Sequence, residues 1–385
     1  MTARIDSKLP NVGTTIFTVM SKLAADCGAI NLSQGFPSFE PPAELRERIS
    51  HYLEHGANQY PPMQGVPELR QAIAEKTRQS YATTVDFEHE VTVCTGATEG
   101  LFSTIQAVVR RGDEVIVLDP AYDSYEPAVT LAGGTAIHVP LAIDDGEFAM
   151  DWQRFEDALG DKTRLIILNF PNNPTGAVLT RDDLQRLAQL LENSSALILS
   201  DEVYEHIVFD GHLHCSVLSQ PELRERSFVV SSFGKTYHAT GWKVGYCIAP
   251  PDLTAEFRKV HQFTVFTVVT PIQHALADFM SERPDFHADL SRFYQRKRDL
   301  FCSLLEESRF TLTPSKSTFF QLLDYGAISN EPDTQLAKRW TRDIGVASIP
   351  LSVFCDTEFT GTRLRFCFAK DDDTLAEAAG RLCEL

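Results

Sequence analysis

At 385 residues, with 43% hydrophobic and 10% aromatic side chains, the chain has the make-up of a compact protein too long for one hydrophobic core, and two domains are expected. A net charge of −18 argues against nucleic acid as a partner, because no excess of Lys and Arg is available to replace phosphate counterions. The eight cysteines include no Cys-x-x-Cys pair, the N-terminus lacks the apolar core of a signal peptide, and no apolar run reaches bilayer length, so a cytoplasmic protein with reduced thiols, no metal and no membrane contact is expected.

The first forty residues read as irregular, ending in Asn31-Leu32-Ser33-Gln34-Gly35-Phe36-Pro37. A helical pattern runs from about Ala43 to Glu54, and another starts at Pro67, with proline in the first turn. From Val91 short apolar runs alternate with helix-length spacers: Val91 to Val93, Glu114 to Leu118, Leu165 to Leu168, Ala196 to Leu199, Phe228 to Val230 and Val244 to Ile248. Runs apolar on both faces predict a mostly parallel sheet covered by helices, hence an α/β fold with ligands beyond the carboxyl ends of the strands. After Thr270 a long helical pattern reaches about Glu307, followed by strand-like Thr318 to Leu323, a helix near Thr334 to Ile344, strand-like Arg363 to Phe368 and a closing helix. The expected division is an N-terminal arm (1–40) packing with the small domain, a large α/β domain (41–270) and a smaller α+β domain (271–385).

The polar residues at the strand ends carry the chemistry. In Ser231-Ser232-Phe233-Gly234-Lys235-Thr236 a lysine follows a buried strand, where loss of hydration lowers its pKa and favours the amine that attacks carbonyls. Lys235 is therefore a candidate Schiff-base lysine. Thr95-Gly96-Ala97-Thr98-Glu99-Gly100 offers small residues where strand turns to helix, a place for a phosphate on backbone N–H groups. Tyr122, after Asp119-Pro120-Ala121, leaves a strand end with an aromatic face. Asn169-Phe170-Pro171-Asn172-Asn173-Pro174-Thr175-Gly176 is a tight turn holding Asn173 at another. Ser200-Asp201-Glu202-Val203-Tyr204 puts a carboxylate after so apolar a strand that it needs a cation nearby, which need not come from the protein.

Each feature alone has an ordinary explanation in packing or turn formation. Together they form the set that pyridoxal phosphate requires: an amine for its aldehyde, a helix start for its phosphate, an aromatic face for its ring and a carboxylate for its pyridine nitrogen.

On these motifs, and on the match from the Asn31 to Pro37 stretch through Arg365-Phe366-Cys367-Phe368-Ala369-Lys370, the chain resembles the class I/II pyridoxal-phosphate aminotransferases of fold type I, in the branch of kynurenine–glutamine and methionine transaminases. The resemblance implies that Lys235 carries the Schiff base and moves the Cα proton, that Asp201 keeps the pyridine nitrogen protonated, and that Tyr204 and Asn173 hydrogen-bond the phenolic oxygen. It further implies a phosphate site of Ala97, Thr98, Ser232 and Lys243, ring stacking by Tyr122, and a substrate-carboxylate grip by Arg365 with Asn173 and the Gly35 backbone. Tyr60 would reach the phosphate of a neighbouring subunit, making the active unit a homodimer.

Dicarboxylate-specific relatives carry a second arginine after the large domain's last helix, whereas His261 to Thr270 here holds no cation beyond a histidine. An uncharged substrate follows: methionine, an aromatic residue, leucine, glutamine or kynurenine, passing its amino group to a 2-oxo acid by a ping-pong mechanism. Phe17, Phe36 and Phe266 are candidate walls. A carbon–sulfur β-lyase acting on cysteine conjugates shares Lys235 and the fold and is the alternative activity. The Gly234-Lys235-Thr236 run is not a nucleotide-binding loop, because the position five before Gly234 is Val229.

Overall fold

The computed structural model describes residues 5–356, 359 and 361–385. Its strands, in chain order, are β1 (Ile30–Asn31), β2 (Val91–Cys94), β3 (Glu114–Asp119), β4 (Thr135–Pro140), β5 (Ala142–Asp144), β6 (Glu147–Ala149), β7 (Thr163–Asn169), β8 (Leu197–Asp201), β9 (Ser227–Ser232), β10 (Gly245–Ile248), β11 (Phe320–Asp324), β12 (Val346–Ala347), β13 (Ile349–Pro350) and β14 (Arg363–Cys367).

Seven of them form one sheet in the order β2-β10-β9-β8-β7-β3-β4. Its strands run parallel except β10, which is antiparallel to both neighbours. The central strands are apolar and almost wholly buried, as a sheet covered on both faces requires. Helix Gly96–Val108 packs against β9 and β10, while helix Thr270–Glu282 packs against both Ala43–Glu54 and Pro67–Tyr81. In register, Asn169 at the end of β7 lies opposite Asp201 at the end of β8, and β9 next door ends at Ser232. Three polar residues thus share one edge. The second sheet, β11-β14-β13, is antiparallel, with Arg365 of its central strand opposite Leu322 and Ile349. Among the described residues no helix is long and apolar enough to cross a membrane.

Three expectations need correction. The first forty residues are not irregular throughout: Ile16–Cys27 is a helix, capped by the Thr15 hydroxyl at its start and by Gly28 in the left-handed region at its end. It buries only Met20 and Ala24 fully, too few positions to announce a helix by periodicity. The single long helix after Thr270 is two, Thr270–Glu282 and Phe286–Leu304, because Pro284 between them supplies no N–H to continue the ladder. The first packs on helices Ala43–Glu54 and Pro67–Tyr81, the second on the closing helix Asp372–Cys383. The edge strand β4 and the hairpin β5–β6 also went unread, since their mixed, half-exposed residues lack the two-sided apolar signature of the inner strands.

Candidate active site

β9 ends at Ser232 and turns straight into the short helix Phe233–Thr236, whose second amide, that of Gly234, donates to the Ser232 hydroxyl at 3.2 Å. A side chain at 234 would strike the Thr240 backbone at 2.8 Å, so glycine lets the following loop fold back over the helix. Lys235, one residue on, extends its ammonium between the rings of Tyr204 and Phe319, 5.2 and 5.1 Å from their centres, and donates to the Gly35 carbonyl at 3.1 Å. Loss of hydration lowers its pKa to about 8, Asp201 opposing that fall and Arg365 adding to it. Gly35 comes this close because it has no Cβ, which would sit 2.8 Å from the Phe320 ring.

Asp201 is only 4% exposed. One carboxylate oxygen accepts from the Tyr125 hydroxyl at 2.7 Å, the other from the Val203 amide at 3.3 Å. Among the described residues no cation lies within ion-pair distance of it. Burial raises its pKa to about 6 despite those hydrogen bonds and the nearby Lys235. Tyr125 was not foreseen from the sequence: it follows Tyr122 by one helical turn, and only the fold brings its hydroxyl to Asp201. Tyr122 stands edge-on to it, ring centres 5.7 Å apart.

On the other side of the same cavity, helix Gly96–Val108 presents its N-terminus. Gly96 has φ +71°, and a Cβ there would lie 3.2 Å from the Lys243 ammonium, so the glycine admits that cation to the helix start. Lys243 itself adopts φ +54° at the end of a short turn. Gly245 clears the Ser231 carbonyl and the Ala97 amide in the same way. Ala97 and Thr98 of the first turn, Ser232 and Lys243 all line the same cavity, a set of donors suited to an anion.

The cavity is lined by Ala97, Thr98, Tyr122, Asn173, Asp201, Tyr204, Ser232, Lys235 and Lys243, all singled out in the sequence, together with Asn169, Thr240, Leu101 and Val203, which were not. Beside it Arg365, 1% exposed, donates to the Asn173 side-chain carbonyl at 2.6 Å and to the Ser33 backbone carbonyl at 2.8 Å. Its guanidinium lies 3.9 Å from the centre of the Phe320 ring and between Phe17 and Phe354. Burial lowers its pKa to about 10, its Nε has no partner, and among the described residues no carboxylate lies within ion-pair distance.

Tyr60, by contrast, lines no part of the cavity; it is 80% exposed and edge-on to Phe266. Phe266 is thus with Tyr60 rather than beside Arg365, and Phe36 is partly exposed with Lys370 over its ring. His261 is buried, held between Glu99 and the Met63 carbonyl, and does not line the cavity.

Residues 28–382 match the sequence profile described as aminotransferase class I and II. The chain belongs to the class I and II aminotransferases. Methionine aminotransferase of Escherichia coli (strain K12) is 51% identical to this aminotransferase, over 98% of both chains, and kynurenine–oxoglutarate transaminase 3 of Homo sapiens is 34% identical, over 96% of this chain and 88% of its own. The crystal structure of YbdL from Escherichia coli superposes over the whole of both chains with a TM-score of 0.97 at 50% identity. The enzyme is therefore a transaminase acting on an amino acid and a 2-oxo acid, with the fold type I architecture and the pyridoxal 5'-phosphate dependence of its family. Its own residues fit that cofactor: a buried carboxylate with no ion-pair partner among the described residues faces the same cavity as a lysine whose pKa is lowered to about 8 and the start of a helix.

Proposed function

We propose that this aminotransferase takes the amino group from an uncharged amino acid, methionine above all, and that the residues around Lys235 divide the work as follows. When bound, pyridoxal phosphate supplies an aldehyde that condenses with amines and a ring that spreads the electrons left at Cα. Ala97, Thr98, Ser232 and Lys243 would hold its phosphate, Tyr122 its ring face, Tyr204 and Asn173 its phenolic oxygen, and Asp201 a protonated ring nitrogen. Lys235, with a pKa near 8, can lose and regain a proton close to neutrality, which suits it to carry the proton from substrate Cα. Arg365 holds the substrate α-carboxylate bidentately, and its orientation is fixed beforehand by Asn173, Ser33 and Phe320.

One observation carries the reading: three ionisable groups, Lys235 and Asp201 in one cavity and Arg365 beside it, are largely removed from water, and among the described residues none has an ion-pair partner. Burying such charges costs several kcal/mol each unless they are compensated, and an amino acid with its cofactor brings the missing counter-charges. The preference for methionine rests on the Escherichia coli relative and on the apolar company of Arg365, with His261 already spent on Glu99.

The division into arm (1–40), large domain (41–270) and small domain (271–385) would serve this site, since β1 of the arm pairs with β12; the packing of helix Thr270–Glu282 on the large domain's helices favours moving the boundary between the two domains to 283–285. Tyr60, Phe263 and Phe266 form an exposed apolar edge that suits a second copy of the chain, with Tyr60 reaching that copy's phosphate site; a cytoplasmic homodimer is the working form. The test is a half-reaction. Methionine without a 2-oxo acid should bleach the cofactor absorbance and yield one equivalent of keto acid per site, then stop. With a cysteine S-conjugate in place of methionine, whose leaving sulfur sits on Cβ, continuous thiol release with no bleaching would make the enzyme a β-lyase instead.

A further inference from the structure

Away from the cofactor cavity, His138 on the edge strand β4 has a side chain only 9% exposed. Its Nδ1 is engaged by the Asp119 carboxylate at 2.8 Å, and its Nε2 is buried with no partner among the described residues. That division of labour, one ring nitrogen oriented by a carboxylate and the other left without a partner, is how histidines are prepared to ligate metals. A ring nitrogen of His138 and one carboxylate oxygen each from Glu126 and Asp356 lie within 4.8 Å of one another. Nδ1 being taken, Nε2 is the nitrogen on offer. No ion pair joins His138 to Glu126 or Asp356 directly, so the three ligand atoms are near one another without being paired. Ligands of one transition-metal ion sit roughly 3–4 Å apart, given metal–ligand bonds of about 2.0–2.2 Å. A rotation of the exposed Glu126 or Asp356 side chain closes the difference.

We propose that Glu126, His138 and Asp356 form a binding site for a divalent first-row metal ion of the zinc or manganese kind, with Asp119 as the residue that orients His138. The cysteine pattern gave no hint of it, because its ligands are one histidine and two carboxylates from segments far apart in the chain. The site joins two loops that border the cofactor cavity. Glu126 is in the first turn of the helix Tyr125–Ala132, just after Tyr122, and Asp356 follows the turn Leu351–Phe354, whose Phe354 ring packs on Arg365. Those loops already touch without a metal: the Ala121 amide donates to the Phe354 carbonyl at 2.6 Å, and the Asp356 amide to Asp119 at 3.0 Å. A bound ion fastens this contact and so steadies one wall of the substrate-carboxylate pocket. The site stands whether or not methionine is the substrate.

The test is titration of chelator-treated holoenzyme with Mn²⁺, a hard ion that avoids the thiols, followed by loss of the free-ion EPR signal. One site per chain is expected, abolished by His138→Gln, weakened at least ~10-fold by Asp356→Asn and roughly 10–100-fold by Asp119→Asn, the usual effect of removing an orienting partner. Affinity should fall on acidification, since a proton and the ion compete for Nε2. Asp356 is exposed, so its variant tests the site even where His138→Gln fails to fold. No binding below millimolar Mn²⁺, or equal binding by wild type and the Asp356→Asn variant, would overturn the proposal.

Discussion

Asp201 and Glu205 leave the same strand end four residues apart, both buried, and meet opposite fates. Glu205 is enclosed by the protein's own donors: the Lys76 ammonium, the Tyr81 hydroxyl, Ser231 Oγ at 2.7 Å and the Tyr246 hydroxyl at 2.9 Å. Burial alone would raise its pKa, but Lys76 and the hydrogen bonds hold it well below the usual carboxylate range. Asp201 has two neutral donors and, among the described residues, no cation within ion-pair distance, and its carboxyl rises to about 6. The first carboxylate ties helix Pro67–Tyr81 to β9 and β10 and is finished. The second is left incomplete by the fold, and that incompleteness marks it as a ligand group. A buried charge paired within the chain is architecture; one left short of its partner points to a molecule from outside.

The contrast can be broken most severely on the functional side. Lys235→Ala removes the amine that Asp201 and the cavity serve, and steady-state assays with methionine and a 2-oxo acid should detect no turnover; retained transamination would sever the site from the activity. On the structural side, Lys76→Met strands Glu205 as a buried anion and is expected to cost about 3–5 kcal/mol, read as a lower midpoint in urea. Lys76→Met with Glu205→Gln should recover part of that loss, and no recovery would mean that the pair is not the cause.

Arg365→Lys keeps a charge but loses the fork that holds a carboxylate. Loss of one charge-assisted hydrogen bond of about 1.5–3 kcal/mol predicts a KM for the amino acid roughly 10–100-fold higher, with the cofactor's absorbance unchanged. An unaltered KM would take Arg365 out of carboxylate recognition.

The smallest effect is a pH dependence of the cofactor-free protein. Folding raises the Asp201 pKa from 3.8 to about 6, so the folded chain binds that proton more tightly than the unfolded one. The group's contribution to stability is then complete below pH 3.8 and lost as pH rises through 6. Comparing urea midpoints of wild type and Asp201→Asn between pH 4 and 7 isolates it. A difference between the two that does not change with pH would show that folding leaves the Asp201 pKa unshifted.

Much of the site could be read in the chain because each of its main residues follows a buried strand. Val91 to Cys94, Thr163 to Asn169, Leu197 to Asp201 and Ser227 to Ser232 are apolar enough to declare themselves, and whatever polar residue comes next lies at the carboxyl edge of the sheet. Tyr125, Thr240 and Ser33 escaped notice because nothing local distinguishes them: one is a tyrosine in a helix, one a threonine in a turn, and the third acts through its backbone carbonyl. The helix Ile16–Cys27 and the edge strand β4 were hidden for another reason, since short or half-exposed elements leave a weak periodic signal.

Local sequence fixed the turn chemistry and the hydration of each group: glycines where a cation or carbonyl comes close, a lysine after an apolar strand, an aspartate where water is excluded. These depend on neighbours a few residues away, so the chain carries them by itself. Which groups meet was decided by the tertiary structure. Arg365 reaches Asn173 across 192 residues, Lys235 reaches Gly35 across 200, and Tyr125 reaches Asp201 across 76. No periodicity encodes such pairings; they exist because two sheets and an N-terminal segment pack around one cavity and leave three ionisable groups facing it.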